Sequence, residues 1–462
     1  MKTFRCFAYF STVLSFICVN TLTFAATLHV PADQPTIQAG IDAAKDGDTV
    51  LVADGTYSGI GNVNIDFLGK QIIVKSENGP EATIVDCQSI PNTRGFIFQN
   101  EETNDVVLEG FTITNGNHEG WGGIYCTNSA PTIKNCYILS NRGGIYCVDS
   151  NPKIIDSKIS NNNSVAGVSF WGHPEKDYDD DKINRPRLTN CIVSENENAG
   201  ISSFDGASVE IIGCIVSKNK SSGIVCDYFA SVHIRYCEIF QNTGGGIKGT
   251  EYAGLNITDS IIKQNTAKNG GGISCSPTSR LKVIGCVIAE NIATESGGGI
   301  DIYSSFGHAS IAYCTITRNT ANVRGGGVHV ELRGSPFNCS NSIIWGNMSK
   351  GTHPEFFAAG PTVSIRSCDL RHGLEGFGDK WAEFIFYKDN IDEDPLFVNA
   401  DSGDYRLRHN SPAITMGATA PREDLEEEEE QDLEEREDFI EKSLSVNSRG
   451  KRIVKWADLK RK

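Results

Sequence analysis

Aromatic and acidic side chains recur at one turn of a repeated unit between residues 167 and 254. Three to five residues past the isoleucine or valine of each glycine-led strand stand Trp171, then Phe204 with Asp205, then Asp227 with Tyr228, and then Glu251 with Tyr252. Aromatic rings offer flat apolar faces to sugar rings, and carboxylates accept hydrogen bonds from sugar hydroxyls or hold calcium. The pattern predicts a sugar-binding strip that uses the four aromatic residues. The alternative is ordinary turn chemistry, because Asp is favoured in turns and aromatic rings cover coil edges.

The same turns contain the candidate catalytic residues Asp205, Asp227 and Glu251. A glycosidase needs two carboxyl groups at a fixed separation, and these three are about one coil, or about 5 Å, apart. A polysaccharide lyase also needs a base, and Lys248 is the nearest basic residue. A carbohydrate-active enzyme, either a lyase or a glycoside hydrolase, therefore stays open.

An acidic excursion at residues 170–186 makes one unit roughly a dozen residues too long. Its carboxylates could hold Ca²⁺, which prefers oxygen ligands, and the candidate ligands are Asp177, Asp179, Asp180 and Asp181. They lack the glycine and the terminal glutamate of an EF-hand loop, so a solvated acidic loop is the alternative. Calcium is the one cofactor that the sequence suggests.

A repeated asparagine indicates how these turns are positioned. It stands five residues after a Cys or Ser, and the copies are Asn141, Asn162, Asn196, Asn219, Asn242, Asn265, Asn291, Asn319 and Asn347. Units of about 23 residues with short β-branched runs cannot bury their own apolar faces, so they must stack. The spacing predicts a parallel β-solenoid in which each asparagine amide bonds the amides above and below it. The tolerance of asparagine for left-handed backbone suits such a corner.

Two phrases resemble secreted bacterial right-handed parallel β-helix repeat proteins of the pectate-lyase-like superfamily. They are VPADQPTIQAGIDAAKDGDTVLVADGTY (Val30 to Tyr57) and NIDEDPLFVNADSGDYRLRHNSPAITMG (Asn390 to Gly417), and the Gly-Gly-Ile strands and Asn-Cys corners between them agree. The resemblance covers about residues 28–417 and implies the fold. Relatives usually have Asp where Thr415 stands, which puts any role of that carboxylate in doubt. The polygalacturonase-like motif (Gly-His-Gly with Arg-x-Lys) and the alginate-epimerase-like motif (Asp-Pro-His) are absent, so the resemblance implies no activity.

Charge and the N-terminus restrict partners and compartment. The net charge of −16 argues against nucleic acid and anionic membranes as partners. Residues 1–25 read as a signal peptide, with a basic start, an apolar stretch and a small-x-small site ending at Ala25. We therefore expect a secreted, periplasmic or cell-surface protein with no membrane span after cleavage. Cysteines occur at fixed positions of the repeat, where serine stands in other copies. This alternation is typical of small buried side chains and predicts buried free thiols.

The predicted organisation is all-β, a single-stranded right-handed parallel β-helix with an N-terminal capping helix and a disordered charged tail. Residues 26–110 form the cap and early coils, with a helix at 36–45, and residues 111–350 form the regular coils. Residues 421–462 are acidic and then basic. Residues 351–420 form the last coil and a cap that includes Phe384, Phe386, Tyr387, Pro395, Leu396 and Phe397. We expect a monomer whose partner is a polysaccharide. The favoured function is a non-catalytic glycan-binding or cell-surface protein, and an enzyme or an adhesive rod are the alternatives.

Overall fold

The computed structural model describes residues 25–119, 122–164, 166–172, 185–276, 278–304, 307–332, 336–351, 353–360, 362–373, 375, 377–379 and 384–419. Within these residues the chain winds into a right-handed parallel β-solenoid, and each full turn contributes one strand to each of three long sheets. The predicted fold class is confirmed. The predicted signal peptide and the charged tail lie outside the described residues, apart from Ala25.

The three long sheets contain 15, 13 and 13 strands. The first sheet comprises Thr27–Val30, Thr49–Val52, Ile73–Ser76, Val107–Glu109, Thr132–Lys134, Lys153–Ile155, Arg187–Thr189, Ser208–Ile212, Ser231–Arg235, Gly254–Thr258, Arg280–Ile284, Ala309–Ala312, Phe337–Ser340, Thr362–Arg366 and Phe384–Lys388. The second comprises Gly55–Tyr57, Thr83–Asp86, Thr112–Thr114, Tyr137–Leu139, Lys158–Ser160, Ile192–Ser194, Ile215–Ser217, Glu238–Phe240, Ile261–Lys263, Val287–Ala289, Thr315–Thr317, Ile343–Trp345 and Asp369–Leu370. The third comprises Ile65–Asp66, Phe96–Phe98, Ile124–Thr127, Ile145–Val148, Ala166–Trp171, Ala199–Phe204, Ile224–Cys226, Ile247–Gly249, Ile273–Cys275, Ile300–Ser304, Val328–Leu332, Phe356–Ala359 and Phe377–Asp379.

Shorter elements complete the fold. A fourth sheet of two-residue strands lines the lengthened corner between the second and third sheets, at Thr266–Ala267, Ile292–Ala293, Thr320–Ala321 and Met348–Ser349. An antiparallel pair joins Phe397–Asn399 to Asp404–Leu407 around a 3₁₀ turn at Ala400–Ser402. The α-helix is Ile37–Ala43. No helix in the described ranges is long and apolar enough to cross a membrane.

The core is a column of inward side chains in register from coil to coil. In the third sheet Ile145 pairs with Val168, which pairs with Ile201, and all three are fully buried. Successive side chains of a strand point to opposite faces, so every second residue of these short strands enters the same column. One continuous apolar cluster extends from Val30 to Leu370.

The repeated asparagines form the predicted ladder, and each is at most 4% exposed. From Asn162 onward each Oδ1 accepts from the asparagine one coil earlier, and Asn141 Oδ1 accepts from Gly116 N–H. Asn242 Oδ1, for example, accepts from the backbone N–H and the Nδ2–H of Asn219 at 3.0 and 2.9 Å. Asn242 Nδ2 also donates to the Val216 carbonyl at 3.1 Å. The ladder thus satisfies corner groups that would otherwise be buried without partners.

One detail of the ladder prediction is wrong, since the asparagines do not supply the left-handed backbone. The preceding residue does, as at Ser140, Glu195 and Gln241, with φ of 57°, 58° and 56°. The residue before each small corner residue behaves in the same way, as Asn190 does with φ of 52°. This left-handed step turns the chain so that the following side chain points inward.

The ladder ends on a carboxylate. Asn347 donates its backbone N–H and Nδ2–H to Glu355 Oε2 at 3.1 and 2.8 Å, and Gly346 N–H donates to Oε1 at 2.8 Å. Gly373 stands five residues after Cys368, where the next asparagine would be, and has no side chain. Glu355 therefore takes the place of that asparagine.

The thirteen cysteines of the described residues are buried and unpaired, as the sequence predicts. Those at the corner stack on one another, and Cys191 N–H donates to Cys214 Sγ at 3.4 Å. Burial raises the pKa of the Cys136 thiol to about 12. A thiol reacts as its thiolate, so these groups should be inert in the folded protein.

We expect iodoacetamide at pH 8 to alkylate fewer than about one tenth of these thirteen thiols in the native protein and all of them in urea. Peptide mass spectrometry measures each site separately. Rapid native labelling of Cys191, Cys214 or Cys237 would contradict the stacked thiol column.

Both ends of the described chain pack on the solenoid. In the helix, Ile37 and Ile41 are fully buried, and the Thr36 hydroxyl accepts from Ala39 N–H at 3.2 Å as the N-cap. The C-terminal segment runs back along the outer face of the second sheet, with Phe397 packing against a cluster that contains Ile261. Phe397 thus packs along the side of the solenoid, whereas the sequence predicts that it covers the open end.

Candidate functional site

Trp171 and Phe204 occupy equivalent positions in adjacent coils, and their rings are in contact. The ring centroids are 4.8 Å apart, and Tyr146 approaches Trp171 from the other side at 6.4 Å. A cavity of about 90 Å³ beside Trp171 is lined in part by Asp149 and Arg185. Trp171 Nε1 is buried and has no hydrogen-bond partner among the described residues.

The aromatic residues of the next two coils lie further around the corner between the third and first sheets. Phe229 N–H donates to the Glu251 carbonyl at 3.0 Å, which places Phe229 opposite Tyr252. Their rings stack with centroids 4.6 Å apart and planes 1° apart. Tyr228, Phe229 and Tyr252, here called the corner cluster, are 48%, 58% and 56% exposed. Trp171 and Phe204 are mostly buried, so the predicted strip consists of two aromatic clusters that differ in exposure.

The three candidate carboxylates follow one another in adjacent coils beside Tyr228, since Gly206 N–H donates to the Tyr228 carbonyl and Phe229 N–H donates to the Glu251 carbonyl. Glu251, through its charge and a hydrogen bond, raises the pKa of Tyr228, and burial together with Asp227 and Asp205 shifts it in the same direction. A carboxylate disfavours the phenolate because two negative charges repel each other. The structure therefore places Asp205, Asp227 and Glu251 at the same corner of three adjacent coils.

The hydrogen bonds distinguish the roles of these carboxylates. Asp227 Oδ1 accepts from Tyr228 N–H at 2.9 Å and from the Thr250 hydroxyl, so Asp227 shapes the turn itself. Glu251 is exposed and faces solvent beside Tyr252. The arrangement supplies acceptor oxygens next to exposed rings, the combination that a sugar with several hydroxyls requires.

Other predicted site residues lie apart from this cluster or outside the described residues. Lys248 is exposed on the outer face of the third sheet, in register with Val225 and Ser274. The calcium candidates Asp177, Asp179, Asp180 and Asp181 lie outside the described residues. Within the part of the chain that is described, no three His, Cys, Asp or Glu residues are grouped to hold a metal ion.

A cationic groove on the first sheet was not anticipated from the sequence. One outward row contains His233, Asn256 and Lys282 in direct register. Arg280 lies in the neighbouring outward row. Each residue of the first row stands four positions before a corner Cys or Ser, so alignment of the repeats on Cys237, Ser260 and Cys286 would have revealed it.

A buried histidine–aspartate pair was also missed. His329 Nδ1 lies 2.7 Å from Asp301 Oδ1 on the outward face of the third sheet, and both residues are under 8% exposed. Gly297 and Gly325 of the lengthened corner fold over them with φ of 67° and 56°, and a Cβ at Gly297 would lie 2.6 Å from the Asp301 Cβ. The His329 ring stacks on Phe357 at 5.2 Å. The lengthened corner covers the pair. The repeated Gly-Gly-Gly of this corner is the sequence feature that could have indicated it.

Comparison with known families identifies the architecture. The family described as "Right handed beta helix region" matches residues 49–208, 122–288 and 205–368. The chain belongs to this family. No curated protein sequence matches the chain.

Several solved structures resemble the chain at low sequence identity. The catalytic unit of a GH87 alpha-1,3-glucanase from Streptomyces thermodiastaticus is 16% identical over 76% of this chain and 67% of its own, with a TM-score of 0.40. Pectate lyase Pel9A is 13% identical over 88% and 95%, with a TM-score of 0.39. PfbA, a surface adhesin of Streptococcus pneumoniae, is 13% identical over 77% and 87%, with a TM-score of 0.37. These likenesses concern the fold alone.

Proposed function

We propose that this right-handed β-helix protein is exported and binds a polysaccharide without cleaving it, at the corner where the third sheet meets the first. The observation that supports this most directly is the corner cluster. Three large aromatic side chains from two adjacent coils remain about half-exposed beside the exposed carboxylate Glu251. Grouped exposed aromatic rings are typical of ligand surfaces, whereas scattered ones need no explanation.

The corner cluster offers two kinds of contact to a sugar. The Phe229 and Tyr252 rings stack face to face, so each ring has one face left. A sugar ring would pack on those remaining faces and on the ring edges. The Tyr228 hydroxyl and the Glu251 carboxylate would hydrogen-bond the sugar hydroxyls. Because coils stack about 4.8 Å apart, Trp171 and Phe204 in the two preceding coils would offer a polymeric ligand a second, adjacent contact area.

The proposal is tested by glycan retention. We expect Tyr228→Ala and Tyr252→Ala each to weaken retention on the bound polysaccharide about 5- to 30-fold, equivalent to about 1–2 kcal/mol of lost ring contact. Trp171→Ala should act in the same direction. Phe386→Ala, at a residue that is 46% exposed on the first sheet, is the matched control and should leave retention unchanged. Unchanged retention in all three test variants would eliminate the proposed surface.

Measurement of polysaccharide cleavage products distinguishes an enzyme from a binding protein. The chain is incubated with a panel of polysaccharides, with and without Ca²⁺. Ultraviolet absorbance reports unsaturated lyase products, and reducing-end assays report hydrolysis. Product formation that Asp227→Asn abolishes would replace the binding proposal with catalysis. Neither product nor retention would favour an adhesive rod.

A further inference from the structure

The outward face of the first sheet carries a groove of about 520 Å³. Its charged and titratable side chains are His233, Arg280, Lys282 and His308, and none of its thirteen lining residues is acidic. This is unusual in a chain with a net charge of −16. Gly254 lies in register between Ser231 and Arg280, so the floor of the groove lacks a side chain at its centre.

Two cations and one amide oxygen of the groove lack protein partners among the described residues, whereas His233 Nε2 lies 2.9 Å from an Arg185 guanidinium nitrogen. Arg280 and Lys282 form no ion pair with any described residue, although outward cations elsewhere on the solenoid do, as in Arg187–Glu210 and Lys220–Glu197. Asn256 Oδ1 is buried and accepts no hydrogen bond from the described residues. A buried acceptor beside two unpaired cations fits a ligand that supplies both carboxylates and N–H or O–H donors.

The described chain ends close to this groove. Gly417 N–H donates to the Asn341 carbonyl at 2.8 Å, and Ala418 N–H donates to Thr315 Oγ1 at 3.2 Å. Asn341 follows the strand Phe337–Ser340, and Asn338 of that strand lines the groove. Three extended residues span about 10 Å, so the chain leaves the solenoid about that far from the groove.

The sequence beyond this exit is strongly acidic. Residues 423–441 contain thirteen Asp or Glu and one Arg. Glu423 follows Gly417 by six residues, a length that would reach at most about 20 Å and would be enough to enter the groove. A segment tethered this closely has an effective concentration in the millimolar range.

We propose that the first-sheet groove binds the chain's own acidic segment, residues 423–441. Segment carboxylates pair with Arg280 and Lys282, and a backbone N–H of the segment donates to Asn256 Oδ1. The interaction covers a basic surface that would otherwise attract external anions. It is also sensitive to salt, since added ions screen the attraction between exposed charges.

The full-length chain tests this by zero-length carbodiimide cross-linking between lysine amines and carboxylates. At about 20 mM salt we expect Lys282 to cross-link to residues 423–441 at least about tenfold more often than Lys248, which is exposed on the third sheet. The Lys282 cross-link should fall at least about fivefold in 1 M NaCl and in Arg280→Glu. Lys153→Glu, five coils away in the same outward row, is the matched control and should change nothing.

Mixing unlabelled and ¹⁵N-labelled chains shows whether the cross-links are intramolecular. Equal cross-linking of Lys282 and Lys248, or cross-links mainly between chains, would overturn the proposal.

A second experiment uses polygalacturonate as a probe and a chain with Glu426 to Glu430 replaced by Gln. Polygalacturonate should bind this chain at least about tenfold more tightly than the unaltered one. Equal binding to both would show that the groove is already open and would also overturn the proposal.

Discussion

Asn242→Ala is expected to lower the free energy of unfolding by about 4 kcal/mol. The substitution removes the acceptor for two N–H groups of Asn219 and the donor for the Val216 and Phe240 carbonyls and for Asn265 Oδ1, in a fully buried corner. A buried polar group that is left without a partner costs about 1–3 kcal/mol, and five groups lose a hydrogen bond here, some of which keep another. The neighbouring rungs cannot shift to compensate, because each coil is fixed by the coils on both sides.

Urea unfolding followed by circular dichroism measures this loss, and Gln241→Ala is the matched control. Gln241 adjoins the ladder, but its side chain is exposed and makes one surface bond to Gln264 at 3.2 Å. We expect the control to cost less than about 1 kcal/mol. If Asn242→Ala and Gln241→Ala cost the same, the ladder would contribute nothing beyond an ordinary surface contact.

The ladder could be predicted because its signal lies in residue identity at a fixed spacing. The left-handed residue before each rung could not be, because that position is occupied by residues as different as Ser140, Lys218 and Gln264. Several polar and charged residues tolerate the turn equally, so its conformation follows from the packing of the next, inward residue. The column of buried thiols was predicted for the same reason as the ladder.

The candidate site was predicted less completely because corner geometry does not follow from residue counting. The strand Ala199–Phe204 continues to its aromatic residue, whereas Ile224–Cys226 ends two residues before Tyr228. Counting the same number of residues from the start of each strand therefore leads to residues that do not lie opposite each other in adjacent coils. The groove at Lys282 depends in addition on the missing side chain of Gly254, which no periodicity marks. Glu355 was not predicted because it stands at a glycine position of the repeat. Its side chain nevertheless accepts the hydrogen bonds that the next asparagine of the ladder would accept.

The carboxyl group of Glu355 should make the C-terminal coils less stable as pH rises from about 4.5 to 8. Burial raises the pKa of Glu355 to about 7, although the N–H groups of Asn347 and Gly346 act in the opposite direction. Burial prevails because the side chain is only 1% exposed. A carboxyl group whose pKa is higher in the folded state favours folding while protonated, and that contribution is lost as pH rises through the folded pKa. A rise from 4.5 to about 7 corresponds to about 3 kcal/mol.

Asp369 adds to the same pH dependence. Burial, together with Asp392, Glu393 and Asp394, raises the pKa of Asp369 to about 7. Its Oδ2 is buried without a hydrogen-bond partner among the described residues, which suits a protonated oxygen better than a charged one. The two groups therefore act together to weaken this end of the solenoid above neutral pH.

Unfolding free energies at pH 5 and pH 8 test this explanation. We expect Glu355→Gln to reduce the difference between the two pH values by about 3 kcal/mol, because the glutamine cannot ionise. The variant should lose stability at pH 5, since Gly346 N–H then faces an amide group that cannot fully replace the carboxyl oxygen. Glu355→Gln combined with Asp369→Asn should flatten the dependence further. An unaltered pH dependence in the double variant would assign it to other groups and would leave Glu355 as an ionised end of the ladder.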